Sequence, residues 1–133
     1  MATLTDNART FLQQPFAGAL TTLRADGSPH TTVVWVDVDD DGPSFNTAAG
    51  RAKPRHIERD PRVSLLVVDP EDQYKWLAIS GRAEITTNGA DEQIDKLAKK
   101  YIGKDEYPWR KPTETRLKVL IEPEHVDATG FDA

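Results

Sequence analysis

The sequence predicts a mainly β fold of the α+β class, a small antiparallel β-barrel carrying short helices, and three observations predict it. Lys75 to Thr86 alternates Leu77, Ile79, Gly81, Ala83 and Ile85 with Ala78, Ser80, Arg82, Glu84 and Thr86, the two-residue period of a long half-buried strand. Val63 to Val68 is a nearly continuous aliphatic run of the kind a buried central strand shows. The candidate strands are joined by turn-rich segments instead of long crossover helices, which argues against a doubly wound parallel sheet.

In chain order, Thr5 to Gln13 opens with a Thr or Asp cap and places Ala8, Phe11 and Leu12 at helical spacing, so a short helix is expected before Pro15, plugging one end of the fold. Phe16 to Arg24 and Thr31 to Val38 are rich in Thr, Val and aromatic residues. They flank Ala25-Asp26-Gly27-Ser28-Pro29, whose Asp-Gly step suits a tight turn, and together they read as a β-hairpin. Asp37 to Pro43 is a second, acidic connection, followed by a short strand at Ser44-Phe45-Asn46-Thr47.

From Arg51 to Glu58 the pattern turns helical, with Pro54 acceptable only in the first turn, and Asp60-Pro61 ends the helix. The Val63–Val68 strand and the long Lys75–Thr86 strand follow, the latter with a bend expected at Gly81. Asn88 or Asp91 caps a helix whose Ile94, Leu97, Ala98, Tyr101 and Ile102 share one face and which stops at Gly103. Tyr107 to Pro112 is an aromatic and basic loop, and Arg116 to Glu122 is a last alternating strand before Pro123. The count comes to about six strands in a single domain spanning 1–133, without internal repeats.

Composition narrows the function classes. Cysteine is absent, which removes disulfides, thiolate nucleophiles and iron–sulfur ligation and fits a reducing cytoplasm, the expected location. No apolar run approaches membrane-spanning length. A net charge of −5 argues against a nucleic-acid partner. Within that acidic chain Arg51 to Arg62 holds Arg51, Lys53, Arg55, Arg59 and Arg62 against only Glu58 and Asp60, a local patch suited to an anion.

Asn46 to Arg55 joins a strand end to a helix start. The N–H groups of a helix N-terminus, with Arg51 and Lys53 beside them, would hold a phosphate from several directions. The alternative for the same residues is a solvated basic helix face making surface ion pairs. Trp35, Trp76 and Trp109 suit stacking on a ring-bearing ligand, a subunit interface, or ordinary core packing. No metal is expected, because His30, His56 and His125 show no ligand spacing, and no nucleophile elbow or catalytic triad is present.

The run from Gly18 to Arg82 resembles the central portion of the pyridoxamine-phosphate-oxidase-like split β-barrels. Phe45-Asn46-Thr47, Arg51-Ala52-Lys53 and Asp60-Pro61-Arg62-Val63 resemble the branch that uses the deazaflavin coenzyme F420, and Asp26-Gly27-Ser28-Pro29 with Thr32-Val33-Val34-Trp35 fits the same hairpin. The resemblance implies a small antiparallel split β-barrel forming a homodimer with a cofactor groove at the subunit interface. It implies that Arg51 and Lys53 grip the cofactor phosphate, with Arg55 a further candidate. Asn46 and Thr47 would lie beneath the cofactor linker, and Thr32, Val34 and Trp35 beside the ring system. Trp76 and the Tyr107–Arg110 loop are expected to reach the site from the partner chain.

The function so implied is a coenzyme F420-dependent reductase that passes hydride to a small electron-poor substrate, with no side chain acting as a catalytic group. Two alternatives stay open: a coenzyme F420 carrier without catalysis, and an FMN-binding flavoprotein. The fuller basic set of the pyridoxamine-phosphate oxidases proper is absent, which counts against vitamin B6 chemistry.

Overall fold

The computed structural model describes residues 3–133. Three helices, α1 (Asp6–Gln13), α2 (Ala52–Arg59) and α3 (Ala90–Ile102), accompany seven strands: β1 (Gly18–Leu23), β2 (Pro29–Val34), β3 (Val36–Asp39), β4 (Gly42–Ala48), β5 (Arg62–Asp69), β6 (Asp72–Thr86) and β7 (Arg116–Thr129). The strands form one antiparallel sheet in the order β2-β1-β5-β6-β7-β4-β3. β2 and β3 are its two edges, yet only Trp35 separates them in the chain. The sheet therefore curls into a half-barrel until its edges approach each other at that residue.

This corrects the single strand expected over Thr31 to Val38. Val34 and Val36 are both buried, so the alternation runs on without a break in the sequence while the backbone leaves one sheet edge and joins the other. The hairpin before it is as expected, with Leu20 opposite Thr32 and Thr22 opposite His30. Alternation periodicity reports a face and not a neighbour, which is why the seventh strand was not separable from the sequence.

The core is lined by the inward faces of β1, β5, β6 and β7, with Leu20, Leu65, Leu77, Ile79, Val119 and Ile121 essentially without exposure. α1 closes one end of it. Thr5 accepts a hydrogen bond from the Ala8 N–H (3.1 Å), and the buried Phe11 stacks on Phe131 at 4.8 Å and meets Phe16 edge-on at 5.3 Å. Burying Phe11 and Leu12 contributes about 1.5–3 kcal/mol each.

The Val63–Val68 strand is buried on one face only, for its outward side chains alternate with the core and Leu66 is 41% exposed. β6 bends where Gly81 was expected to bend it: the β6–β7 register shifts between Ser80 and Gly81, and Glu124 is the extra residue opposite. A Cβ at Gly81 would stand 1.9 Å from the Glu122 carbonyl oxygen, so only glycine fits that approach. Pro123 does not end β7, contrary to expectation. It pairs with Gly81 at the irregularity, where a missing N–H is tolerated, and the strand continues to Thr129.

α3 packs over the outer face of β3, β4 and β7, so β4 is covered on both sides. Its start is Gly89 in the left-handed conformation, not Asn88 or Asp91, and Gly103 ends it as expected. Ile94, Leu97 and Ala98 are buried beneath it, while Ile102 in its last turn is 38% exposed.

Candidate functional site

The antiparallel pairing of β4 with β7 sets Ala48 opposite Arg116, so the end of β4 lies beside the start of β7. Gly50, with φ +88°, turns the chain from β4 into α2, whose first helical residues are Ala52, Lys53 and Pro54. Pro54 has no N–H to leave unpaired, and among the described residues no side chain caps this helix. The uncapped α2 N-terminus, Arg51, Lys53 and Arg116 thus converge on one spot, although Arg116 is remote in sequence from the other three.

Here lies a cavity of about 220 Å³ lined by Val33, Val34, Trp35, Asn46, Thr47, Arg51, Lys53, Ile94, Leu97, Tyr107, Trp109 and Arg116. Of the residues singled out from the sequence, Val34, Trp35, Asn46, Thr47, Arg51 and Lys53 meet in it, together with Tyr107 and Trp109 of the aromatic loop. Three do not. Thr32 shares the inward face of β2 with Val34 but stands one pair of residues further from the Trp35 junction and lines no part of the cavity. Arg55 is exposed one turn further along α2 and donates to the Gly50 carbonyl (3.2 Å). Trp76 sits beside Val68 on the outer face of the sheet, away from this chain's cavity.

The cavity has an aromatic wall and a cationic end. Trp35 stacks on Tyr101 (5.4 Å, 4°), Tyr107 meets Trp35 edge-on at 6.1 Å, and Trp109 meets Tyr107 at 5.6 Å. Within this chain the Tyr107–Arg110 loop lies at the chain's own cavity, which Tyr107 and Trp109 line. Asp95 of α3 accepts from the Tyr107 N–H (2.9 Å) and pairs with Arg110 (2.9 Å), folding the loop over the site. Trp109 at its tip is 59% exposed.

At the cationic end Glu114 bridges two guanidiniums, Arg51 at 2.8 Å and Arg116 at 3.2 Å. Arg116 is buried and also donates to Asn46 Oδ1 (2.9 Å), and Asn46 in turn donates to the Ala90 carbonyl (2.8 Å) and to Gln93 (3.1 Å). Gln93 continues the chain of contacts to Ser44 (2.8 Å) and Asp37 (3.2 Å), and Asp37 is paired with Lys96 at 2.8 Å. Every polar group of Asn46 is therefore spent on holding Arg116 and α3 in place.

Lys53 differs from its neighbours. Among the described residues its ammonium has no carboxylate partner, and burial followed by the charge of Arg51 pulls its pKa down. A half-buried ammonium with a second cation beside it and an uncapped helix N-terminus is an arrangement short of an anion. Glu114 is the opposite case: burial alone would raise its carboxyl, but the hydrogen bond and charge of Arg116 and the charge of Arg51 hold it below the usual carboxylate range.

Arg116, Glu114 and Gln93 were not singled out from the sequence. Arg116 read only as the start of the last strand, and no local signal announces the β4–β7 pairing that brings it and Glu114 to α2. Among the described residues no group of three His, Asp or Glu side chains is arranged to hold a metal ion. No helix among them is long and apolar enough to cross a membrane.

Comparison with known proteins adds to this geometry. The family model for pyridoxamine 5'-phosphate oxidase matches residues 4–129. The F420H(2)-dependent biliverdin reductase of Mycobacterium tuberculosis (strain CDC 1551 / Oshkosh) is 29% identical over 119 residues, covering 90% of this chain and 85% of that one. A solved F420 reductase superposes with a TM-score of 0.79 at 26% identity, covering 93% of this chain and 98% of its own. A conserved hypothetical protein from Mycobacterium tuberculosis does so at 0.75 and 25% identity, over 97% of this chain and 86% of that one.

Proposed function

The chain belongs to the pyridoxamine 5'-phosphate oxidase family, and from that premise we propose that it is a coenzyme F420-dependent reductase acting on a small electron-poor substrate. The observation that carries the reading is the anion-deficient end of the cavity: Lys53 without a carboxylate, Arg51 beside it, and the uncapped start of α2. These residues fit a cofactor phosphate. The wall of Trp35, Tyr107 and Trp109 fits a planar ring system, and the likeness to F420H(2)-dependent reductases favours a deazaflavin there.

Bound in its reduced form, that cofactor supplies the hydride. This chain's part is to hold the phosphate, to fix the ring against the aromatic wall, and to keep water off the reacting face with the Tyr107–Trp109 loop. No side chain is required as a nucleophile.

The same reading makes the protein a homodimer. A cavity of about 220 Å³ is smaller than the roughly 300–1,000 Å³ usual for ligand pockets, and a neighbouring surface against its open side would enlarge it. Val33, which lines the cavity, is 73% exposed on the outer face of β2, in the cross-strand row that continues through Ala19 to the exposed Leu66. Trp76 lies on that outer face as well, where a partner's site could receive it.

Titration of the purified protein with coenzyme F420 and separately with FMN, followed by fluorescence, tests the reading. Saturable F420 binding with weak FMN binding, lost when Arg51 and Lys53 are both changed to alanine, is the expected result. Preference for FMN would replace it with a flavoprotein, and binding of neither would sink the cofactor assignment. F420 binding without turnover across a panel of electron-poor acceptors would leave a carrier.

A further inference from the structure

The cation cluster of the site contains one built-in negative charge. Glu114 lies against Arg51 and Arg116, and its side chain is only 13% exposed while that of Arg51 is 52% exposed. It cannot swing away when a ligand arrives, because Arg116 is buried and its remaining partner, Asn46, is already tied to Ala90 and Gln93. Removing the carboxylate from Arg116 would leave a buried guanidinium without a counter-ion. Glu114 is therefore a fixed charge one residue away from any anion that Arg51 and Lys53 bind.

A fixed negative charge penalises a bound anion in proportion to the anion's own charge. A phosphodiester carries one negative charge at neutral pH, and a phosphomonoester carries nearly two. The phosphate of coenzyme F420 is a diester and that of FMN a monoester. We propose that Glu114 is a specificity-determining residue, a built-in carboxylate that biases this anion site toward a phosphodiester ligand and against a phosphomonoester. The inference rests on the cofactor reading above, but it concerns charge selection and can be tested without either cofactor.

The test compares ethyl phosphate, a monoester, with diethyl phosphate, a diester. Each is titrated by NMR into the wild type and Glu114→Gln at pH 7.5, following the arginine Nε–H resonances. Arg51, Lys53 and Arg116 keep their charges in both proteins, so the change in the ratio of the two affinities reads the charge of Glu114. Loss of one unit charge a few ångströms away is expected to raise the monoester-to-diester ratio about tenfold. Glu114→Asp keeps the charge and should keep the wild-type ratio.

If Glu114→Gln does not fold, Glu114→Ala takes its place, and a second pH checks that the ratio reads charge. The monoester loses its second charge on acidification to pH 5, with a pKa of about 6. Arg51 and Lys53 of α2 and Arg116 of β7 remain charged there, and protein titration elsewhere, including His56 on the far side of α2, acts on two monoanions equally. The difference in ratio between the wild type and the variant should then disappear.

An unchanged ratio in Glu114→Gln at pH 7.5, a changed ratio in Glu114→Asp, or a ratio shift in Glu114→Gln that persists at pH 5 overturns the proposal, as does saturable binding of neither anion. A tenfold ratio shift in a protein that binds neither coenzyme F420 nor FMN would uphold charge selection and overturn the cofactor reading instead.

Discussion

Val34 and Val36 flank a single residue, yet they belong to strands at opposite edges of a seven-stranded sheet. The hydroxyl of Tyr101 fastens that junction from α3. It accepts from the Val36 N–H (2.9 Å) and donates to the Phe16 carbonyl (2.8 Å), while the ring stacks on Trp35. Tyr101→Phe keeps the stack and leaves both backbone groups short of a partner. It should cost about 1–3 kcal/mol in urea unfolding, and a variant as stable as the wild type would show that the seam does not depend on this hydroxyl.

Lys53→Met retains the aliphatic stem and removes the charge. Affinity for the phosphate-bearing cofactor should fall about 10- to 100-fold, the worth of a hydrogen bond to a charged group. Because burial and Arg51 hold the Lys53 pKa below its ordinary value, the ligand-free fold carries this ammonium at a cost. The melting temperature of the ligand-free variant should therefore hold or rise, and a fall in both quantities would make Lys53 a structural residue.

His56 is buried on the inner face of α2, with Thr22 Oγ1 at 2.7 Å from its Nδ1 and His30 edge-on at 5.0 Å. Burial, then His30 and the charges of Arg59, Arg24 and Arg55, push its pKa below the ordinary 6.5. The unfolded chain therefore binds this proton at a higher pH than the folded one. Stability from the neutral imidazole is full above about pH 6.5 and is lost as the pH falls toward the folded value. The melting temperature should be lower at pH 5.5 than at 7.5, and His56→Asn, which keeps a polar atom toward Thr22, should flatten that dependence. An equal slope in the variant would place the titration elsewhere.

Gly81→Ala puts a methyl into the Glu122 backbone, which cannot rotate aside. The expected loss is at least about 3 kcal/mol, read as a large drop in melting temperature. A mild effect would mean that the β6–β7 irregularity slides to a new position.

Leu66→Glu introduces a charge on the exposed outer face of β5 and leaves the inward-facing core untouched. If that face joins two subunits, the variant should elute as a monomer in size-exclusion chromatography and bind cofactor less tightly, while unfolding at much the same urea concentration once monomeric. An unchanged elution volume would send the interface elsewhere.

How much of this was legible before the structure follows from the range over which each signal acts. Thr5 as a cap, Pro54 in the first turn of α2, Gly81 at the bend, Gly103 at the end of α3 and the alternation of β6 are local matters of dihedral angle and side-chain period, and the chain states them itself. So is the concentration of Arg51 and Lys53 at the start of a helix. The tertiary structure decided what depends on pairing partners. The β4–β7 register brings Arg116 and Glu114 to Arg51, the outward packing of α3 recruits Gln93 and the Tyr107–Trp109 loop, and curling of the sheet parts Val34 from Val36. Thr32 and Arg55 lie on the right elements but outside the cavity, Thr32 too far along β2 and Arg55 on another side of α2, because which residues of an element meet a cavity is set by what packs against it. A charged side chain announces its chemistry in the sequence; the partners that fix its position and its charge state are chosen by contacts between residues far apart in the chain.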